Sequence, residues 1–215
     1  MKALLSSLLA LALSIHPAGA ADAPTVSADG TVLFDGSSLA GWEFAPGAWE
    51  IEEDGSLVCR MESFEADDGT PQTRSMGYIW TRDDYGDFEL SLSYKLSEAA
   101  NSGVFFRSDK GDPVQSGSEV QLLDDEGYQK RHNPLDAKHL NGSFYDASAP
   151  KANPAKPAGE WNTLVLKCVG PRVTCHINGV QVFDIDLNDW TEAGKNPDGT
   201  PNKFKTAIKD KPLRG

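Results

Sequence analysis

The chain has 215 residues, 39% of them hydrophobic, with five Trp and nine Phe, which is enough apolar material for one sizeable core and argues against wholesale disorder. Thirty-two Asp and Glu stand against 20 Lys and Arg, a formal net charge of −12. That balance repels phosphate backbones and anionic lipid, disfavouring nucleic-acid and membrane-surface partners. Neutral ligands such as sugars, and cations such as Ca²⁺, remain compatible with it.

The first twenty residues read as a separate unit. Lys2 precedes an apolar run from Ala3 to Ile15, followed by Pro17 and the small residues Ala18-Gly19-Ala20. The run is too short to cross a bilayer, and Ala18-x-Ala20 suits cleavage before Ala21, so residues 1–20 are predicted to be a signal peptide. No Cys follows the cleavage point, so no lipid anchor is indicated. The expected location is the periplasm or the medium, with no membrane insertion once the signal is removed. Residues 21–29 form a flexible polar leader, and residues 30–215 a single domain.

Within that domain short apolar runs alternate with Gly, Asp, Asn and Pro clusters, and no helical period persists. Strands are predicted over 49–51, 56–60, 78–81, 88–96, 103–107, 119–123, 161–169, 173–177 and 180–185. The stretch 88–96 alternates strictly, with Phe88, Leu90, Leu92, Tyr94 and Leu96 on one face and Glu89, Ser91, Ser93 and Lys95 on the other. The last three strands read as a meander, its second turn signalled by Asn178-Gly179. Segments 61–75 and 125–160 show little strand character and are expected as long loops, the usual seat of binding groups. An all-β sandwich follows from this spacing.

Cys59, Cys168 and Cys175 are too few for a disulfide framework or a paired-thiolate zinc site. Cys168 and Cys175 flank a turn, where a disulfide in an exported protein and two small buried hydrophobes are equally good readings. No nucleophile elbow, phosphate loop, dinucleotide fingerprint or metalloprotease helix occurs. What remains is polar residues on strands. Period two sets Glu119 and Gln121 on one face, and Phe105 and Arg107 on another common face. An aromatic platform beside a guanidinium and a carboxylate suits a polyol, although the same pattern describes the solvated face of a half-covered sheet. His132 and His139, in the long loop, are the acid/base candidates among the histidines. The acidic clusters read as solvated loop ends, with a structural Ca²⁺ as the lesser alternative. The five Trp read as core more readily than as sugar platforms.

Several segments, in order along the chain, carry a resemblance. They are Leu33-Phe34-Asp35-Gly36 with Gly41-Trp42, Asp54-Gly55-Ser56-Leu57, Asn101-Ser102-Gly103-Val104-Phe105-Phe106-Arg107, Glu119-Val120-Gln121-Leu122-Leu123-Asp124, Lys156-Pro157-Ala158-Gly159-Glu160-Trp161-Asn162 and Asn178-Gly179-Val180. Together they resemble the 3-keto-disaccharide hydrolase family over nearly all of residues 30–215. The resemblance implies a concanavalin-like jelly-roll sandwich of two antiparallel sheets. It also implies cleavage of 3-keto-glycosides by C2 proton abstraction, elimination and hydration. On that scheme Glu119 is expected as base or metal ligand, Gln121 and Arg107 as oxygen-holding groups, Phe105 as platform, and Tyr145 or His139 as loop-borne donor or acid/base. The substrate is a small molecule or oligosaccharide, and a divalent cation is an optional cofactor. Members of the family continue past the stretch matching 211–215 into a further strand, so the domain is expected to lack its final strand. A non-catalytic carbohydrate-binding module is the alternative.

Overall fold

The computed structural model describes the backbone of Leu11–Ser14 and, in full, residues 30–132 and 134–215. The expected signal peptide and leader therefore lie outside the described residues except for Leu11–Ser14, which pairs with both Phe88–Leu96 and Leu57–Cys59, so cleavage before Ala21 would take away the strand these two share.

Among the described residues the molecule is a β-sandwich. Thirteen strands run β1 Leu11–Ser14, β2 Trp42–Phe44, β3 Trp49–Ile51, β4 Leu57–Cys59, β5 Met61–Glu65, β6 Pro71–Ser75, β7 Ile79–Thr81, β8 Phe88–Leu96, β9 Asn101–Phe106, β10 Ser118–Leu123, β11 Trp161–Val169, β12 Arg172–Ile177 and β13 Val180–Asp186. Two short helices, α1 Pro113–Ser116 and α2 Asp125–Arg131, interrupt them. A seven-stranded antiparallel sheet has the order β13-β12-β11-β8-β1-β4-β3, and β9–β10, β2–β7 and β5–β6 form separate antiparallel pairs.

Strict alternation along β8 has the expected result: Leu92, Tyr94 and Leu96 are buried, and so are Leu164, Leu166 and Cys168 of the neighbouring β11. The β9–β10 pair supplies the opposing layer through Phe106, Val120 and Leu122, which share one core with the large sheet. Phe144 fills the centre, edge-on to Trp190 at 5.4 Å between ring centroids and tilted against Phe183 at 6.0 Å. The meander closes through Asn178 and Gly179, both at positive φ (49° and 77°), the geometry that a two-residue turn between right-twisted strands requires. A second cluster, around Phe34, Ala48, Trp49, Leu57 and Cys59, packs beneath the β2–β7 pair. Trp42 and Trp49 belong there, their indole N–H groups donating to Leu33 O and Gly77 O.

The segment 61–75, expected as a loop, is instead the hairpin β5–β6. Every residue of β6 is exposed, so no apolar alternation marked it. Cys168 and Cys175 are unpaired and buried. The register sets Cys168 opposite Val173 and Cys175 opposite Leu166, and burial pushes both thiols up to about 12.

Candidate active site

Strand β10 has neighbours on both edges. On one side it pairs with β9, so that Glu119 lies opposite Phe105 and Gln121 opposite Gly103. On the other side the loop 140–148 runs alongside: Gln121 N–H donates to Ser143 O, Gly142 N–H to Gln121 O, and Tyr145 N–H to Glu119 O at 3.0 Å. The inward alternate residues Val120 and Leu122 are core, which turns Glu119 and Gln121 to the outer face, beneath that loop.

This outer face opens into a cavity of about 1370 Å³ whose lining includes Tyr78, Phe105, Glu119, Gln121, Tyr145 and Lys203. The volume exceeds the ~300–1,000 Å³ of common small-molecule sites, so a ligand of that class would occupy part of it. One wall is aromatic, with Tyr78 edge-on to both Trp80 (5.7 Å) and Phe105 (5.5 Å). At the floor Gln121 Nε2 donates to Asn101 Oδ1.

Glu119 dominates the electrostatics. Its side chain is 16% exposed, and burial raises its pKa to about 7 against the opposing pull of Lys203, whose Nζ lies 4.0 Å from Oε2. Burial likewise lowers the pKa of Lys203, with Glu119 and Asp146 working against it. The Lys203 ammonium rests over the Tyr145 ring at 4.1 Å, a cation–π contact. Tyr145 is raised by burial and then by the Glu119 charge.

Asp146 organises the surroundings. It sits at φ +61° and accepts from Lys203 N–H at 2.6 Å, from His139 Nε2 at 3.0 Å, and pairs with Lys138 at 3.3 Å. Burial pushes its pKa up, but these donors together outweigh it and hold the carboxyl below its ordinary value.

Of the residues expected at the site, Glu119, Gln121, Phe105 and Tyr145 come together on this face. Arg107 also borders the cavity, but its side chain does not continue the face of Phe105. The strand ends at Phe106, and Arg107 at φ +52° leaves the alternation. Its guanidinium is 3% exposed and is consumed by Gly86 O, Gly170 O and Asp87. His139 stands apart from the cavity. Its Nε2 is engaged by Asp146 and its ring packs against Tyr145 at 4.9 Å between centroids, so it props Tyr145 instead of facing a ligand. His132 stacks on Tyr128 at 4.2 Å, beyond the end of α2.

Lys203, Asp146, Asn101 and Tyr78 were not singled out from the sequence. Asn101 lay inside a quoted motif, but Lys203 sits in Asn202-Lys203-Phe204-Lys205, which carries no pattern of its own. As for a divalent cation, the described residues include no cluster of three or more His, Cys, Asp or Glu that could hold one. Of the carboxylates that line the cavity, Glu119 alone is sheltered from solvent, and it is already faced by an ammonium. These residues do not fit a metal.

The sequence profile of a family described as "3-keto-alpha-glucoside-1,2-lyase-like domain" matches residues 29–211. A 3-keto-disaccharide hydrolase of Bacteroides thetaiotaomicron is 27% identical over 187 residues, covering 78% of this chain and 63% of that protein, so the chain spans less than two thirds of its length. A crystal structure from Parabacteroides distasonis, of a protein assigned as a glycosyl hydrolase, superposes with a TM-score of 0.71 at 29% identity, covering 85% of this chain and 86% of that one. A second from the same organism, assigned likewise, gives 0.58 at 25% identity over 73% and 71%.

Proposed function

Because the chain belongs to the 3-keto-alpha-glucoside-1,2-lyase-like family, we propose that it is exported and cleaves glycosides already oxidised to a ketone at C3, with Glu119 as the base. A C3 ketone acidifies the proton on C2, and removing it gives an enolate that expels the aglycone from C1. Water adding to the resulting enone completes net hydrolysis. The observation that carries this reading is a single buried carboxylate on the cavity floor whose pKa is raised to about 7, where it is half ionised at neutral pH and strong enough to take an activated carbon-bound proton.

The neighbours suit the remaining tasks. The Tyr145 hydroxyl and the Gln121 amide are neutral donors for the ketone oxygen as it gains charge. The Tyr78–Phe105 wall offers apolar faces to the ring. The test is aglycone release from a chromogenic 3-keto-glucoside and from its unoxidised parent. Consumption of the keto form alone is expected. Retention of plain oligosaccharide without turnover would instead identify a binding module.

Gly103 gives a sharper check on the base. A Cβ built there would stand 2.2 Å from Glu119 Oε1 and 2.9 Å from its Cδ, so the absence of a side chain on β9 is what lets the carboxyl lie across the strand. Since the obstacle is a movable side-chain end, Gly103→Ala should fold normally but displace the carboxylate, lowering kcat by about tenfold to a hundredfold. Thermal unfolding and steady-state kinetics on the same sample would show whether only activity moves.

A further inference from the structure

We infer that Lys203 is the general acid of the reaction: its ammonium protonates the departing C1 oxygen, and Glu119 then returns the C2 proton to the Lys203 amine. This rests on the proposed elimination. In the forward step the C2–H bond breaks and its proton passes to Glu119. The enolate electrons form the C1–C2 double bond as the C1–O bond breaks, and the aglycone oxygen takes a proton from Lys203 Nζ. The enzyme is left with a neutral carboxylic acid and a neutral amine 4.0 Å apart, and one proton transfer between them restores the starting pair. No outside acid or base is consumed.

Geometry singles out this lysine. C2–H and C1–O are on adjacent carbons, so the acid must stand within a few ångströms of the base, and the Lys203 ammonium does so on the cavity lining. Its backbone is pinned at both ends of the residue, N–H to Asp146 Oδ2 at 2.6 Å and carbonyl from Gln115 Nε2 at 3.1 Å, while the Tyr145 ring supports the head group. The other ammonium groups of the region are engaged elsewhere: Lys110, also on the cavity lining, pairs with Glu43 at 2.6 Å, Lys138 with Asp146 at 3.3 Å, and Lys211 Nζ donates to Gly117 O and lies 3.8 Å above the Phe204 ring. A fixed cation for the enolate oxygen would be better served by an arginine, which keeps its proton. Burial makes Lys203 readier to give its proton up.

Leaving-group dependence separates acid catalysis from any other role. A nitrophenolate departs without help, whereas an alkoxide needs a proton. Lys203→Met should therefore lose about a hundredfold or more on methyl 3-keto-glucoside, and less than about tenfold on the 4-nitrophenyl compound. Lys203→Arg preserves the charge and the contact with Tyr145 but cannot release a proton at neutral pH, so it should be as defective on the methyl glycoside, with an unfolding midpoint near that of the wild type. Solvent deuterium should still exchange into C2 of the methyl substrate with Lys203→Met and fail to do so with Glu119→Gln. Equal losses on both leaving groups, or full methyl glycoside activity in Lys203→Arg, would overturn the assignment of Lys203 while leaving the elimination intact. Absence of both exchange and release in the wild type would overturn the elimination itself, and Lys203 as acid with it.

Discussion

Glu119→Gln should lower turnover of a 3-keto-glycoside by about 10²–10⁴-fold, the usual worth of a positioned general base, and yet make the protein more stable at pH 8. Both effects have the same cause. Folding buries the carboxyl and raises its pKa from an ordinary 4.5 to about 7, so between those values the folded state binds the proton more tightly than the unfolded chain. The linkage sign follows: where the native state holds more protons, stability falls as pH rises, here across the interval from about 4.5 to about 7. Above that window the wild type carries a destabilisation of up to about 3 kcal/mol, at 1.36 kcal/mol per pKa unit, that a neutral amide of the same shape escapes. Activity moves the other way, because the base works only when ionised, and kcat/KM should climb with pH through about 7. Urea unfolding at pH 4 and pH 8, alongside a pH–rate profile, would check the pair of claims. A variant that kept wild-type turnover, or whose stability difference did not grow between those two pH values, would remove Glu119 from its role. The coupling is the familiar tension between activity and stability, located in one carboxylate.

How much of this was legible in advance depends on how local each signal is. The strand Phe88–Leu96 was readable to the residue because a half-buried antiparallel strand must alternate, and so was the Asn178-Gly179 turn, because few residue pairs tolerate two positive φ values in succession. The hairpin Met61–Glu65 with Pro71–Ser75 was not, since it is held by its backbone ladder and by the Asp68–Thr70 turn, with no buried face to leave a pattern. Helix α2 was missed for a similar reason: Asp125–Arg131 buries only Gly127, and its signals are charges, acidic in the first turn and basic in the last. At the site, period two placed Glu119 beside Gln121 because that relation is internal to one strand. Lys203 meets Glu119 only because the 190s–200s segment folds back over the loop carrying Tyr145 and Asp146, and nothing in the tetrapeptide around it encodes that return. Alternation also misled at Arg107, one residue past the end of the ladder, where a left-handed φ changes the direction of the side chain.

Arg107→Met is expected to destabilise the protein by about 3 kcal/mol, seen as a fall in Tm of roughly 6–12 °C for a chain of this size. The guanidinium bridges two turns just beyond Phe88–Cys168, the last pair of the β8–β11 ladder. Nε and Nη2 reach Gly86 O at 3.0 and 2.9 Å, before β8, and Nη1 reaches Gly170 O at 2.6 Å, between β11 and β12. Asp87 completes the clamp, accepting from Arg107 at 3.3 Å and from Gly170 N–H at 2.8 Å. Methionine fills the stem's volume but leaves two carbonyls without their donors, and an unmade buried bond costs about 1–3 kcal/mol each. The Asp87 ion pair adds little, because that carboxylate is 62% exposed. Lysine should recover only part of the loss, having one point donor where the arginine presents a planar fork. The decisive contrast is with catalysis. Well below its unfolding transition Arg107→Met should turn over the nitrophenyl substrate within about threefold of the wild type, since its guanidinium is committed to the fold. A KM raised by tenfold or more, with Tm unchanged, would return Arg107 to the substrate-holding role that the sequence pattern had suggested and would require the clamp to open when sugar binds.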